Sequence, residues 1–310
     1  MKFYKPRLWI FFVIGLLVWI VQIAIVYGLS YMWTEGQKKT HTEHEISMYE
    51  NHIKAITSRY QALSQLSFGS IINTPKIQKI MYDASHTSNT QEQAKLRAEL
   101  YQLLKNEYKA LQGSNIRQFQ FHLPNSISFL RFHKPEHYGD SLKGLRKTID
   151  TVNETHATIF GFEEGRVNNG FRYVFPLFYH NQFVGTVEFG FSSNILAEEF
   201  KNLYQAHLEL KLFKTYINKA NFQEALQTYK GTSISDMFYS DSPAELQRHY
   251  PEELINTINN SIKEVATTYF YKNQSFSLNT NIFNQAYNVT FLPLLSYDGR
   301  SAGFIVIYND

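Results

Sequence analysis

The sequence predicts an α+β protein rooted by an N-terminal membrane helix, and three observations carry that prediction. An uncharged run opens the chain. Helical periodicity then persists to about residue 111. After that come short alternating apolar strands, which close twice on the same local pattern.

The uncharged run, Leu8 to Trp33, holds about 26 residues, with Gln22 its most polar member. At a rise of about 1.5 Å per residue it covers a hydrocarbon core of ~30 Å with some tilt. A signal-peptide apolar region is shorter, about 7–15 residues, and ends at a small-residue cleavage site. Here the run ends in Tyr27, Tyr31 and Trp33, side chains suited to a membrane interface. An uncleaved anchor is expected. Lys2, Lys5 and Arg7 precede it, so residues 1–7 are expected in the cytoplasm and the chain from Thr34 onward outside, with Lys38 and Lys39 opposing this weakly.

Residues 34–66 continue as a stalk helix. Ile46, Tyr49, Ile53, Ile56, Tyr60, Leu63 and Leu66 recur at spacings of three or four. One apolar seam must be buried, either against the chain's own domain or against a twin helix in a dimer. Two more helices are expected, one from Thr74 with Pro75 in its first turn, the other from about Gln91 to Leu111.

Strand patterns begin at Ile116. Ile116–His122 and Ser126–Phe132 flank Pro124-Asn125 as a hairpin, and a short helix is expected from Asp140 to Val152 with Asp140-Ser141 as its cap. Thr158–Glu163, Phe171–Phe178 and Phe183–Phe191 read as strands, the last two joined at His180-Asn181. Ile195–Lys214 reads as a linking helix after Ser192-Ser193. The end of this pattern recurs. Pro176-Leu177, a polar turn and Gly185 opening an apolar strand are matched by Pro293-Leu294, Asp298-Gly299 and Gly303. A duplication is expected, with modules at 67–204 and 205–310.

Composition narrows the function. A length of 310 residues suits about two folded units. A net charge of +3 without a basic stripe argues against nucleic-acid binding. The absence of cysteine removes disulfides, thiolate metal sites and cysteine nucleophiles. His41, His44 and His52 lie on the stalk, but no fourth metal ligand is evident, so no metal and no cofactor are expected. Gly139-Asp140-Ser141-Leu142 spells an esterase nucleophile block. Its Asp-x-x-His partner, Asp83 to His86, precedes the serine rather than following it, which makes a hydrolase a remote alternative. Asn153-Glu-Thr and Asn288-Val-Thr match glycosylation acceptors, without consequence in a bacterial exterior.

Phe129-Leu-Arg-Phe-His-Lys-Pro-Glu-His-Tyr-Gly-Asp-Ser-Leu142, Arg146, Gly161-Phe-Glu-Glu-Gly-Arg166, Phe171-Arg172, Pro176 and Gly185-Thr-Val-Glu-Phe-Gly190 together resemble the double Cache sensory domains. The likeness is to the type ahead of diguanylate cyclases, histidine kinases and chemoreceptors. It is close over about 60 residues and a likeness of layout elsewhere. The resemblance implies two stacked PAS-like modules with antiparallel sheets, with 67–204 membrane-distal and 205–310 membrane-proximal. It also implies a small-molecule pocket in the distal one, and a homodimeric receptor of the bacterial inner membrane whose bulk is periplasmic. The output domain would lie beyond Asp310 or in a partner.

The residues give that pocket a chemistry. Arg131, His133 and Lys134 sit on or just beyond one strand, Arg166 and Arg172 on the next ones, and Arg146 on the helix between. Converging guanidinium groups can hold a carboxylate through paired hydrogen bonds, and Glu188 can answer a ligand ammonium or neutralise an arginine. The expected ligand is a small anion or zwitterion such as an amino acid. The plainer alternative is that these arginines pair with Glu163, Glu164 or Asp140 to pin the covering loop. An exterior that binds no solute and works through protein contacts also stays open.

Overall fold

The computed structural model describes residues 7–164, 169–217, 229–241 and 249–310. The chain forms two compact units, Met1–Glu50 and Asn51–Asp310. The first is built on the N-terminal part of α1 (Arg7–Ser67), an uninterrupted helix. Trp9, Phe11, Phe12, Trp19, Tyr31 and Trp33 are exposed along it, and its most apolar 18-residue window has a mean hydropathy of 2.5. The helix is long and apolar enough to cross a membrane.

In the second unit, the remainder of α1 turns Ile56 and Tyr60 inward. The Tyr60 ring stacks on Phe191 at 4.1 Å. This part of the apolar seam is therefore covered by the chain's own domain. Leu66, expected on the same seam, is 67% exposed. The reason is local: after Tyr60 the inward positions at helical spacing fall on Ser64 and Ser67, leaving Leu66 on the outer side, and α1 then passes into a π turn, Phe68–Ile72, that buries Ile72 and stacks Phe68 on Phe175. Two helices follow, α2 (Pro75–His86) and α3 (Thr90–Gly113). Pro75 stands in the first turn of α2, and the Asn89 side chain caps α3 by accepting from the N–H groups of Gln91 and Glu92.

The first sheet contains β1 (Gln118–Leu123), β2 (Ile127–Arg131), β3 (Ile159–Glu163), β4 (Gly170–Tyr179) and β5 (Gln182–Ser192), in the order β2-β1-β5-β4-β3. All its pairings are antiparallel. His180 and Asn181 both take positive φ in the β4–β5 turn, the geometry of a two-residue hairpin. One face of the sheet is aromatic. Phe119, Phe121, Phe175, Phe189 and Phe191 are buried there, where α1 contributes Tyr60 and the π turn contributes Phe68. The other face is mixed and is covered by α4 (Lys147–Thr155): Gln120, His122, Arg172, Thr186 and Glu188 lie beside Val174, which packs with Ile149 and Val152 of that helix.

Two expected helices need correction. The helix expected from Asp140 begins only at Lys147. Residues 139–142 instead run along the outer edge of β2, with Gly139 N donating to Ser128 O at 2.8 Å and Leu142 N to Ser126 O at 2.8 Å. Ser141 bridges Ile127 in that edge and does not cap the helix. The linking helix expected to reach Lys214 stops as α5 (Asn194–Tyr204), with Gln205 in the left-handed region. Residues 207–213 form β6 (His207–Phe213), because Leu208, Leu210 and Leu212 alternate with period two.

The second sheet adds β7 (Tyr229–Gly231), β8 (Phe238–Asp241), β9 (Phe276–Ile282), β10 (Gln285–Leu295) and β11 (Ser301–Asn309), in the order β7-β8-β6-β11-β10-β9. Helix α6 (Glu252–Phe270) precedes β9 as α4 precedes β3. The repeated pattern occupies matching places in the two sheets. Leu177 pairs with Gly185 and Leu294 with Gly303, each with a register shift at the next residue. A Cβ on Gly185 would strike the His122 carbonyl, and one on Gly303 the Lys211 carbonyl. By register, β6 therefore corresponds to β1, β11 to β5 and β10 to β4.

Candidate functional site

The same correspondence sets the two sheets apart chemically. On the face under α4 the first sheet presents Arg172, Thr186, Glu188 and Gly190. The matching positions of the second are Val289, Phe304, Val306 and Tyr308. There α6 packs Ile255, Ile258, Ile262 and Phe270 against Phe276, Phe291 and Phe304, leaving a small pocket beside β6 lined by Glu209, Lys211, Ile255 and Asn259. The first sheet keeps charge on β4 and β5, whereas the second keeps it on β6, where buried Lys211 pairs with Glu209 and donates to Ser240 Oγ at 3.0 Å, and His207 Nε2 lies 3.1 Å from Glu209 Oε1.

Arg146, at the start of α4, is the hub. Its Nε donates to Glu163 Oε2 at 2.9 Å and its Nη2 to Glu188 Oε2 at 2.8 Å. Glu163, the last residue of β3, also accepts from the Thr148 backbone N–H and hydroxyl, both at 2.8 Å, which fixes the first turn of α4 over the sheet. Gln120 Nε2 donates to Glu188 Oε1 at 3.2 Å, and Arg172 Nη1 lies 3.7 Å from the same oxygen. His122 shares a hydrogen bond with Thr186 Oγ1 at 3.0 Å. Arg172 is 2% exposed and Glu188 fully enclosed. Charges this deep persist only when paired.

The electrostatics follow from that pairing. Burial works hardest against ionising Glu188, but Arg146 and Arg172 outweigh it and hold the carboxyl down at about 2. Burial also opposes charge on Arg146, where Glu188 and Glu163 prevail and raise its pKa. Arg172 is lowered to about 10, by burial first and by the neighbouring Arg146 charge second, and so stays protonated at neutral pH. His122 is lowered to about 3 and His133 to about 4, both chiefly by burial, so both imidazoles are neutral.

Of the residues singled out in the sequence, Arg146, Arg172 and Glu188 come together in this cluster. Arg131 is directed otherwise: its two terminal nitrogens grip Asp140 at 2.7 and 2.9 Å, and Nη1 also reaches His137 O at 2.9 Å. This fork is the loop-pinning alternative in atomic form. His133 lies beyond the end of β2, where the strand period no longer applies. Its Nδ1 is buried with no hydrogen-bond partner among the described residues. Lys134 is exposed, and Arg166 lies outside the described residues. Gln120, His122, Thr148, Glu163 and Thr186 belong to the cluster and were not singled out as ligand contacts. Among the described residues no group of three or more His, Asp or Glu is arranged to hold a metal ion. His41 Nδ1 instead lies 3.5 Å from Glu45 Oε2.

A scan against protein families matches residues 43–310 to a family described as the double sensory domain of two-component sensor kinase. No curated protein sequence matches the chain. Among solved structures, similarity is found to the ligand-binding domain of Campylobacter jejuni chemoreceptor Tlp3 in complex with 4-methylisoleucine. The identity is 12%, the TM-score 0.47, and 85% of this chain and 87% of that one are covered. The Tlp3 sensory domain with isoleucine bound matches at 11% identity and TM-score 0.46, covering 86% and 89%. An extracellular ligand-binding receptor from Desulfohalobium retbaense matches at 8% identity and TM-score 0.41, covering 84% of this chain and 39% of that one.

Proposed function

The chain belongs to the double sensory domains of two-component sensor kinases, the family matched by residues 43–310, and on that premise we propose that it is the extracytoplasmic sensing portion of a bacterial transmembrane receptor. Its helix α1 anchors it in the inner membrane. The module at 67–204 is the membrane-distal, solute-binding one. The module at 205–310 is the proximal, packed one, and a homodimer passes the signal to an output domain. The chain itself is a binding module and catalyses nothing.

The observation that carries this reading is the buried, balanced set of two arginines and two glutamates under α4, where the matching positions of β10 and β11 in the second sheet are apolar or aromatic and, among the described residues, the buried charge of that sheet is confined to His207, Glu209 and Lys211 of β6. Opposite charges fixed close together suit a small zwitterion of the amino-acid class. Its carboxylate would face Arg146 and Arg172, and its ammonium would face Glu188. Such a ligand acts by preferring one arrangement of the modules over another, and only to the extent of its differential affinity.

The test is thermal melting of the full chain in detergent against a panel of L-amino acids and small carboxylates. At least one panel member is expected to raise the melting temperature, and Arg172→Lys, which keeps the charge but not the fork, to abolish that rise. A rise that survives unchanged in Arg172→Ala rejects the site. The reading of a solute-free exterior that works through protein contacts has one observation in its favour: Arg131 and Arg146 are already occupied by acids of the fold. It predicts no shift with any panel member.

A further inference from the structure

The second module meets the first at Tyr229, which hydrogen-bonds Asn169, at Tyr216, whose ring lies 6.5 Å from that of Phe162, and at one turn of the second sheet. Residues 296–300 join β10 to β11, and Tyr297 N–H donates to the Phe162 carbonyl at 3.0 Å, while Ser296 bridges Phe162 in parallel register. β3 is the outer strand of its sheet, so the turn covers backbone that would otherwise be an open edge. Gly161 makes the approach possible. It has φ +151°, and a Cβ there would stand 2.6 Å from Tyr297 Cα. On the other side, the Tyr297 hydroxyl lies 3.5 Å from Thr151 Oγ1 on α4.

Glu163 is the residue after Phe162, and its carboxylate holds Arg146 and the first turn of α4. The two elements that meet at Glu163 are thus both touched by a single residue of the second module, β3 by its backbone and α4 by its hydroxyl. The turn is itself braced: Asp298 accepts from Ser296 Oγ, from Arg300 N at 3.2 Å and from Arg300 Nε at 2.6 Å. A braced turn passes displacement on to the strands it joins, and β11 pairs along its length with both β6 and β10.

We propose that Tyr297 is a positioning residue for the buried polar cluster of the first module and that the turn at 296–300 is a joint through which a change at Glu163 reaches the second sheet. The joint exists whatever the first module binds, so its test uses no ligand and stands apart from the melting panel.

The experiment is amide hydrogen exchange on the full chain in phosphatidylcholine nanodiscs, read on β11. Glu163→Gln is expected to speed exchange of the β11 amides by at least about threefold. In a Tyr297→Ala background the same substitution is expected to leave β11 unchanged, and Tyr297→Phe, which keeps the ring but removes the hydroxyl beside Thr151, is expected to weaken the effect. Thr148→Val removes one hydrogen bond to the same carboxylate and serves as the perturbation if Glu163→Gln does not fold. The proposal is overturned if α4 loosens while β11 exchange stays as in the unmodified chain. Transmission that persists undiminished in Tyr297→Ala overturns it equally.

Discussion

Arg146 and Glu188 face each other as an enclosed ion pair, Nη2 to Oε2 at 2.8 Å, while the same guanidinium holds Glu163 through Nε at 2.9 Å. One side chain from α4 therefore ties together acids from β5 and β3, two strands separated by β4.

Removing that tie leaves two carboxylates buried with less compensation. Arg146→Ala is expected to cost about 3–5 kcal/mol in urea unfolding, the usual penalty for breaking a buried pair from one side. Combining Arg146→Met with Glu163→Gln and Glu188→Gln removes all three charges and should recover most of that loss. Equal losses in the single and triple variants would show that packing, and not charge, sets the cost.

Acid should weaken the fold in two stages. His122 and His133 titrate at about 3 and about 4 in the folded chain, against 6.5 when free of it. The unfolded chain thus binds protons first, and stability falls as pH drops from about 7 towards those values. Glu188, held at about 2 against 4.5, contributes fully above about 4.5 and loses its contribution as pH falls to about 2. His122→Gln should flatten the decline between pH 7 and 4 in a series of denaturant midpoints. An identical slope in the variant would mean that His122 is charged in the fold.

These groups also mark what the sequence could and could not reveal. Alternation showed β1, β2, β4 and β5, because Phe119, Phe121, Phe189 and Phe191 recur every second residue on a buried face. The same alternation hid the site. Gln118, Gln120 and His122 look like the solvent side of a strand until α4 is known to cover them. Thr186, on the same face of the neighbouring strand, was hidden in the same way, and Glu188 stood out only as a charge within an otherwise apolar strand. β6 was read as helix because the apolar residues from Ile195 onward fit both periods. The break, at Gln205, uses a left-handed residue that is neither glycine nor asparagine.

The fork between Arg131 and Asp140 is partly exposed, Asp140 by 43%, so its worth is modest. A double-mutant cycle on Arg131→Ala and Asp140→Ala should give a coupling of about 0.5–1.5 kcal/mol. Additive losses would mean that the pair does not pin residues 132–140.

Gly190 leaves room for the Arg172 guanidinium, since a Cβ there would stand 2.5 Å from Nη1. Gly190→Ala is expected to destabilise by about 1–3 kcal/mol, as overpacked sites do. Arg172→Met in the same background should return part of that loss, because a flexible thioether can bend away. If Gly190→Ala melts like the unmodified chain, the guanidinium has another place to go.

Only Gln205 and Ala206 separate α5 from β6. α5 is gripped by α1 through Glu199, which pairs with Arg59 and lies 3.7 Å from His52, while Phe200 and Tyr204 flank the His52 ring. β6 is an inner strand, bonded to β8 on one side and β11 on the other. A helix spliced so tightly to the middle of a sheet works as a tiller: any rotation it takes from α1 has no slack in which to dissipate, and it turns the second sheet from its centre outward.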